Sequence, residues 1–189
     1  MKKVALLVAA TAALSACAPA PPAPVPAAVL ARPLDSIQPG FRPAEVRGDL
    51  EATARQRFGD ALTDRALASD TYLFAKHFVG LAPPPIVEPD GSYRYPPPPM
   101  AMLIRENGQW LAATAAGFRA VSADKAAAID ALVRNAAFWS EPDYAEPGCT
   151  DAGASLLMLK APPRPVVVRR GACGRTALTE RLVFLALEA

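Results

Sequence analysis

The pattern of apolar and polar positions after residue 40 predicts helices that alternate with pairs of strands. The stretch Pro43–Phe58 repeats an apolar residue every four positions, begins with a proline that suits a first helical turn, and is followed by Gly59, which suits helix termination. A second periodic stretch follows Ser122, a good N-cap residue, and runs to about Asn135. Both stretches are predicted to be amphipathic helices.

Two strand hairpins are predicted further along the chain. The first pairs Met100–Arg105 with Trp110–Thr114 around Asn107-Gly108, the dipeptide that best tolerates the positive φ angles of a tight hairpin turn. The second pairs Ala154–Lys160 with Val166–Arg170 across a proline-rich turn. Helices before and between hairpins are typical of an α+β fold. We therefore predict one α+β domain, residues 32–189, with a small antiparallel sheet of two hairpins and two to four helices.

Three other stretches have less regular patterns. Residues 60–79 carry a helical apolar stripe, and although residues 71–79 are also rich in strand formers, we expect a helix there. Residues 179–187 are apolar on all sides, which suits either a buried helix or a buried strand. Proline clusters at both ends predict that residues 83–99 form an irregular loop.

The first 17 residues carry a targeting pattern. Lys2 and Lys3 precede a mostly apolar run of 13 residues, residues 4–16. This run is shorter than the about 20 apolar residues that a spanning helix needs, and its positive flank is typical of a signal peptide. It ends in Leu14-Ser15-Ala16-Cys17, which resembles the lipobox of bacterial lipoproteins. The resemblance implies a signal peptide at residues 1–16, cleavage before Cys17 and attachment of lipid to that cysteine.

The same resemblance implies a location. In such lipoproteins an Asp directly after the cysteine commonly retains the protein at the inner membrane, whereas this chain has Ala18, which favours the outer membrane, facing the periplasm. Five prolines then fall in the first nine positions after Cys17. Because proline fixes φ and removes a donor, we predict that residues 17–31 form a lipid-bearing, extended linker that reaches roughly 40 Å from the bilayer.

The charge balance excludes one class of partner. The chain has 20 basic and 18 acidic residues, and removing Lys2 and Lys3 with the leader leaves 18 of each. General nucleic-acid binders carry a one-sided positive charge, so we expect no nucleic-acid partner.

One residue of the sequence could support catalysis. The chain has a single histidine, His77, and lacks the usual zinc, nucleophile-elbow and phosphate-loop motifs. His77 with an acidic partner could serve a periplasmic enzyme, because triad members need not be neighbours in sequence. A partly buried helix histidine is the interpretation that we favour. We therefore expect no catalytic residue, no metal and no cofactor.

Charged and aromatic side chains offer further candidates. One segment of the chain is acidic and could either bind a hard cation such as calcium or form a solvated link, and we expect the link. Its acidic residues are Glu141, Asp143, Glu146 and Asp151. In the basic stretch downstream, Arg164, Arg169 and Arg170 suit either an anionic envelope ligand or internal pairing with the acidic segment, and we favour internal pairing or a plain surface position over a ligand site. Five aromatic residues could line a glycan or peptide groove, although we expect the tryptophans in the core: Tyr93, Tyr95, Trp110, Trp139 and Tyr144.

Two cysteines remain outside the lipobox, Cys149 and Cys173, and they flank the second predicted hairpin. In an oxidising compartment we expect them to form a disulfide. The sequence as a whole predicts a lipid-anchored envelope protein, most simply a non-catalytic binding or structural module. Its predicted partners are the membrane and an envelope protein or peptidoglycan. A periplasmic enzyme or a module for anionic envelope components is the alternative.

Overall fold

One antiparallel sheet organises the protein, which is described here from a computed structural model. The structure describes residues 41–78, 85–144, 153–171 and 176–189. The helices of this part are α1 (Pro43–Phe58), α2 (Asp60–Ala68), α3 (Ala123–Arg134), α4 (Ala136–Ser140) and α5 (Ala177–Leu187). The strands are β1 (Tyr72–Phe78), β2 (Ile86–Val87), β3 (Tyr93–Arg94), β4 (Met100–Glu106), β5 (Gln109–Thr114), β6 (Gly117–Ala120), β7 (Ala154–Lys160) and β8 (Val167–Gly171).

Six strands form the main sheet in the order β6-β5-β4-β1-β7-β8, and β2 and β3 form a separate two-stranded sheet. Strand β1 lies at the centre and pairs antiparallel with both β4 and β7. Its residues Tyr72 to Lys76 are all buried, because helices cover both faces of the sheet. A strand that is buried on both faces has a continuous apolar run instead of an alternating one.

Helices α1 and α2 cover one face of the sheet. Leu50 and Ala54 of α1 pack with Phe74 of β1 and Met102 of β4 in one hydrophobic cluster. On this face Lys76 is also buried, and its Nζ lies 2.8–2.9 Å from both carboxylate oxygens of Asp49 and 2.8 Å from the Thr53 hydroxyl. A buried charge is tolerated when it is paired and hydrogen-bonded in this way.

Helices α3, α4 and α5 cover the other face. Here Leu73 and Leu157 of the sheet pack against Ile129 of α3, Phe138 of α4 and Leu182 of α5. The β2–β3 sheet is inserted in the chain between the end of β1 and the start of β4. It therefore lies at the same end of the main sheet as the β5–β6 turn.

The predicted fold class, α+β with an antiparallel sheet, is confirmed; the described residues contain five helices, one more than the predicted maximum. The Pro43–Phe58 helix is confirmed, and Gly59 follows it with φ +86°. The first hairpin is also confirmed, with Asn107 and Gly108 at φ +50° and +79°. The second hairpin is confirmed as β7–β8.

Two predictions about residues 60–99 are wrong in part. The helix expected over residues 60–79 ends at Ala68, and residues 72–78 form the central strand β1, because pairing on both sides outweighs the local helical stripe. The irregular loop expected over residues 83–99 contains the β2–β3 hairpin. The stretch 179–187, left open between helix and strand, belongs to α5.

Several predicted features lie outside the described residues. They are the signal peptide, Cys17, the proline-rich linker, Cys149 and Cys173. Within the described residues, no helix is long and apolar enough to cross a bilayer.

Candidate functional site

His77 lies near the end of β1, on the face covered by α5. Its Nδ1 is 3.2 Å from the hydroxyl of Ser155, the residue opposite it on β7, and its ring contacts the Phe184 ring at a centroid distance of 4.8 Å. Burial lowers the pKa of His77 from its ordinary value, and the negative charge of Glu180 on α5 opposes that shift. His77 therefore sits on a strand, not on the helix that the sequence predicted.

Serine, histidine and glutamate are the residue types of a hydrolytic triad, so the accessibility of Ser155 matters. Ser155 is only 1% exposed. A nucleophile must contact its substrate, and a hydroxyl covered to this extent does not. A side chain at the nearby Gly153 would be crowded, since a Cβ there would lie 2.1 Å from the Phe78 carbonyl oxygen and 2.9 Å from His77 Cε1. This geometry favours a packing role for the His77–Ser155 pair.

The described part of the acidic segment is used inside the domain. Glu141 accepts hydrogen bonds from the backbone N–H groups of Leu178 and Thr179, both at 2.8 Å. Asp143 accepts one from Arg169 at 3.3 Å. Glu146 and Asp151 lie outside the described residues, and the described ranges contain no group of three or more acidic, histidine or cysteine side chains arranged to hold a metal.

Arg169 is buried beneath α4 and α5. Its guanidinium donates to the carbonyl oxygens of Phe138 and Trp139 at 2.6 and 3.3 Å, to Asp143, and to the Thr179 hydroxyl. Burial lowers the pKa of Arg169, while the carboxylates of Asp143 and Glu141 oppose the shift. Arg169 therefore connects β8 to the helices above it and pairs internally with the acidic segment.

The other two candidate arginines do not share a surface with Arg169. Arg164 is half-buried in the β7–β8 turn, with its guanidinium 4.7 Å from the Trp139 ring centroid and its Nη1 buried without a hydrogen-bond partner among the described residues. Arg170 follows Arg169 directly on β8, and strand alternation turns it to the opposite face. The structure does not bring the three side chains together into one anion site.

The five candidate aromatic residues divide into two groups. Trp110 and Trp139 are buried, as predicted, with their indole N–H groups bonded to Asp130 at 2.8 Å and to the Val133 carbonyl at 2.7 Å. Tyr144 stacks on Phe41, with a centroid distance of 5.5 Å. The other two, Tyr93 and Tyr95, are exposed.

Both exposed tyrosines lie on the segment 85–99, which we call the arm. The arm contains the β2–β3 hairpin, and Pro99 joins its base to β1 through a hydrogen bond from the His77 N–H to the Pro99 carbonyl. Five large hydrophobic side chains are exposed in the described residues, and four of these belong to the arm, with exposures of 42–68%. These four are Ile86, Val87, Tyr93 and Tyr95.

The arm has an apolar face and a polar face. Val87 lies opposite Tyr93 in the ladder, so both side chains project to one side. We group Tyr95 with them, because it lies two residues after Tyr93 and directly after β3. On the other side, the polar face, Glu88 and Arg94 form an ion pair at 2.6 Å, and Ile86 lies opposite Arg94. At the tip, hydrogen bonds from the Ser92 hydroxyl and from the Ser92 N–H, the latter at 2.9 Å, lower the pKa of Asp90.

Sequence reasoning named the two tyrosines but missed the hairpin that presents them. The signal was present, because Asp90-Gly91 is a hairpin dipeptide and lies between two short groups of strand-forming residues. The prolines on either side outweighed it.

No protein family, curated protein or solved structure matches the chain.

Proposed function

We propose that this protein is a lipid-anchored bacterial envelope protein whose domain is a non-catalytic binding module, and that the apolar face of the arm is its contact surface. The observation that carries the proposal is the concentration of exposed hydrophobic side chains on this face, defined by Val87, Tyr93 and Tyr95. Exposed apolar side chains grouped in this way mark interaction sites, whereas single ones are ordinary.

The chemistry of the arm favours a protein partner with an apolar groove. Tyrosine is enriched at protein interfaces because it combines a large rigid surface with a hydroxyl. Segments that bind anionic membranes carry clusters of Lys and Arg, whereas the arm carries Glu88, Asp90 and Arg94, of which two are acidic. The described part of the arm thus lacks the charge that would attract a lipid surface.

The anchor is supported by the lipobox-like sequence that ends at Cys17. Two or more acyl chains hold a protein stably at a bilayer, and the proline-rich linker would let the domain reach into the periplasm. Replacing Cys17 with Ser should abolish incorporation of a palmitate analogue and release the protein from membranes. Unchanged labelling of the Cys17→Ser variant would refute the anchor.

Site-specific photo-cross-linking in intact cells tests the contact surface. A photoreactive residue at position 93 or 95 should yield one discrete protein adduct, whereas the same residue at position 94, on the polar face, should not. The adduct should be competed by added wild-type domain but not by a Val87→Asp domain, whose fold should be intact because Val87 is exposed. Adducts of equal yield from positions 93 and 94, or adducts with lipid or glycan only, would overturn the proposal.

A further inference from the structure

A second feature lies at the base of the arm and is independent of the proposed contact surface. A cavity of about 330 Å³ opens between the end of α1, the start of β4, the end of β5 and the end of the chain. This volume is at the lower end of the range for small-molecule sites, which is about 300–1,000 Å³. Its lining includes Arg57, Phe58, Met102, Ala115, Arg119 and Leu187.

The lining combines apolar side chains with positive charge. Phe58 and Leu187, which are partly buried, supply apolar surface, whereas Met102 is fully buried behind the lining. Arg57 and Arg119 supply two guanidinium groups, and none of the described lining residues has an acidic side chain. Arg119 already donates a hydrogen bond to the Ala189 main-chain oxygen.

Arg57 differs from most arginines of α1 in its surroundings. Arg42, directly before α1, and Arg47 and Arg55 within it each pair with a carboxylate. Arg57 forms no ion pair within the described part of the chain, and its only ring contact there is with the adjacent Phe58 at 5.8 Å. Its fork of N–H donors is therefore available to an external carboxylate.

A second, larger cleft of about 510 Å³ lacks this combination. It lies between Arg65, Asp70, Arg105 and Glu106, and its arginines are engaged: Arg65 with Glu106 at 2.7 Å, and Arg105 with Asp130 at 3.1 Å. Of these two cavities, the one beside Arg57 places next to apolar side chains an arginine without an ion pair in the described residues.

From this arrangement we infer that the cavity binds an amphiphilic carboxylate, an acyl chain of medium length whose carboxylate pairs with Arg57 while its apolar part contacts Phe58 and Leu187. Charge complementarity selects the head group, because the lining offers guanidinium groups and no competing acidic side chain. The apolar surface selects a ligand with a tail over a simple anion.

Isothermal titration calorimetry with decanoate tests the inference. The protein is the full mature chain carrying Cys17→Ser, which avoids detergent. We expect saturable binding of decanoate and at least about tenfold weaker binding in Arg57→Gln, since a hydrogen bond to a charged group is lost. Arg134→Gln is the matched control, because Arg134 is also an exposed arginine in the last turn of a helix but does not line the cavity. Ala115→Phe, at an exposed position of the lining, should block binding with the melting temperature preserved.

Each other outcome overturns the assignment. If decanol or acetate binds as tightly as decanoate, the site does not recognise an amphiphilic carboxylate. If Arg57→Gln and Arg134→Gln weaken decanoate binding equally, Arg57 does not bind the carboxylate of the ligand. Absence of decanoate binding would refute the site altogether, and none of these results bears on cross-linking through the arm.

Discussion

The carboxylate of Glu141 accepts two hydrogen bonds from Thr179, one from its backbone N–H at 2.8 Å and one from its hydroxyl at 2.7 Å. Its other oxygen accepts the N–H of Leu178 at 2.8 Å. These groups lie in the first turn of α5, whose own N-cap residue, Thr176, makes no side-chain cap. Glu141 therefore caps α5 from a position 36 residues before the helix begins at Ala177, and its charge complements the positive end of the helix dipole.

We expect Glu141→Ala to lower the free energy of unfolding by about 1–3 kcal/mol, because it leaves helix N–H groups without an acceptor. Glu45→Ala is the control, since the Glu45 ion pair with Arg42 is exposed and should contribute less than about 1 kcal/mol. Urea denaturation of both variants measures the difference. Equal losses would contradict the cap.

Two glycines should respond in opposite directions to the same substitution. Gly153→Ala places a Cβ 2.1 Å from the Phe78 carbonyl oxygen, so the start of β7 must shift away from β1 and stability should fall by about 1–3 kcal/mol. Gly48→Ala meets no atom within 4 Å inside α1 and should raise stability by about 0.5–1 kcal/mol. Thermal unfolding compares the two, and a neutral Gly153→Ala would show that this contact is not close.

The pH dependence of stability should contain a contribution from His77. Its folded-state pKa is lowered by burial, so below the ordinary value of about 6.5 the unfolded chain binds the proton more readily than the folded one. The contribution of neutral His77 to the free energy of unfolding is therefore fully present above pH 6.5 and is lost as the pH falls below that value. The negative charge of Glu180 makes this contribution smaller. Free energies of unfolding at pH 7.5 and 5 should differ less in His77→Gln than in the wild type. An equal or larger difference in the variant would contradict this sign.

The register of β7 and β8 bears on the predicted disulfide. Ser155 lies opposite Gly171, and the sequence places Cys149 four residues before Gly153 and Cys173 two residues after Gly171. Because the two strands end side by side, we expect the cysteines to pair, closing a loop of about 25 residues with roughly 3.5 kcal/mol of stabilisation. Non-reducing mass spectrometry of the mature chain with Cys17→Ser measures the thiols. Two free thiols would exclude the bond.

The sequence alone located elements whose signals are local. The periodic stripe of Pro43–Phe58 and the turn at Asn107-Gly108 depend on residues within a few positions of each other, so the chain carries them whatever surrounds it. The sequence also named Tyr93 and Tyr95 as candidate contact residues, but in one group with Trp110 and Trp139. The two tyrosines differ from the two tryptophans in how far their side chains are buried, and burial depends on the whole fold.

Tertiary structure alone decided the central strand and the uses of the charged residues. Tyr72–Phe78 has a pattern that suits helix or strand, and it becomes a strand because β4 and β7 pair with it while helices bury both of its faces. The sequence predicts a solvated link at Glu141 and internal pairing or a surface position for Arg169, and in the structure both side chains also satisfy backbone groups of distant helices. Such contacts join residues that are far apart in the chain, and no local pattern encodes them; the need to satisfy buried polar groups appears only once the helices have packed.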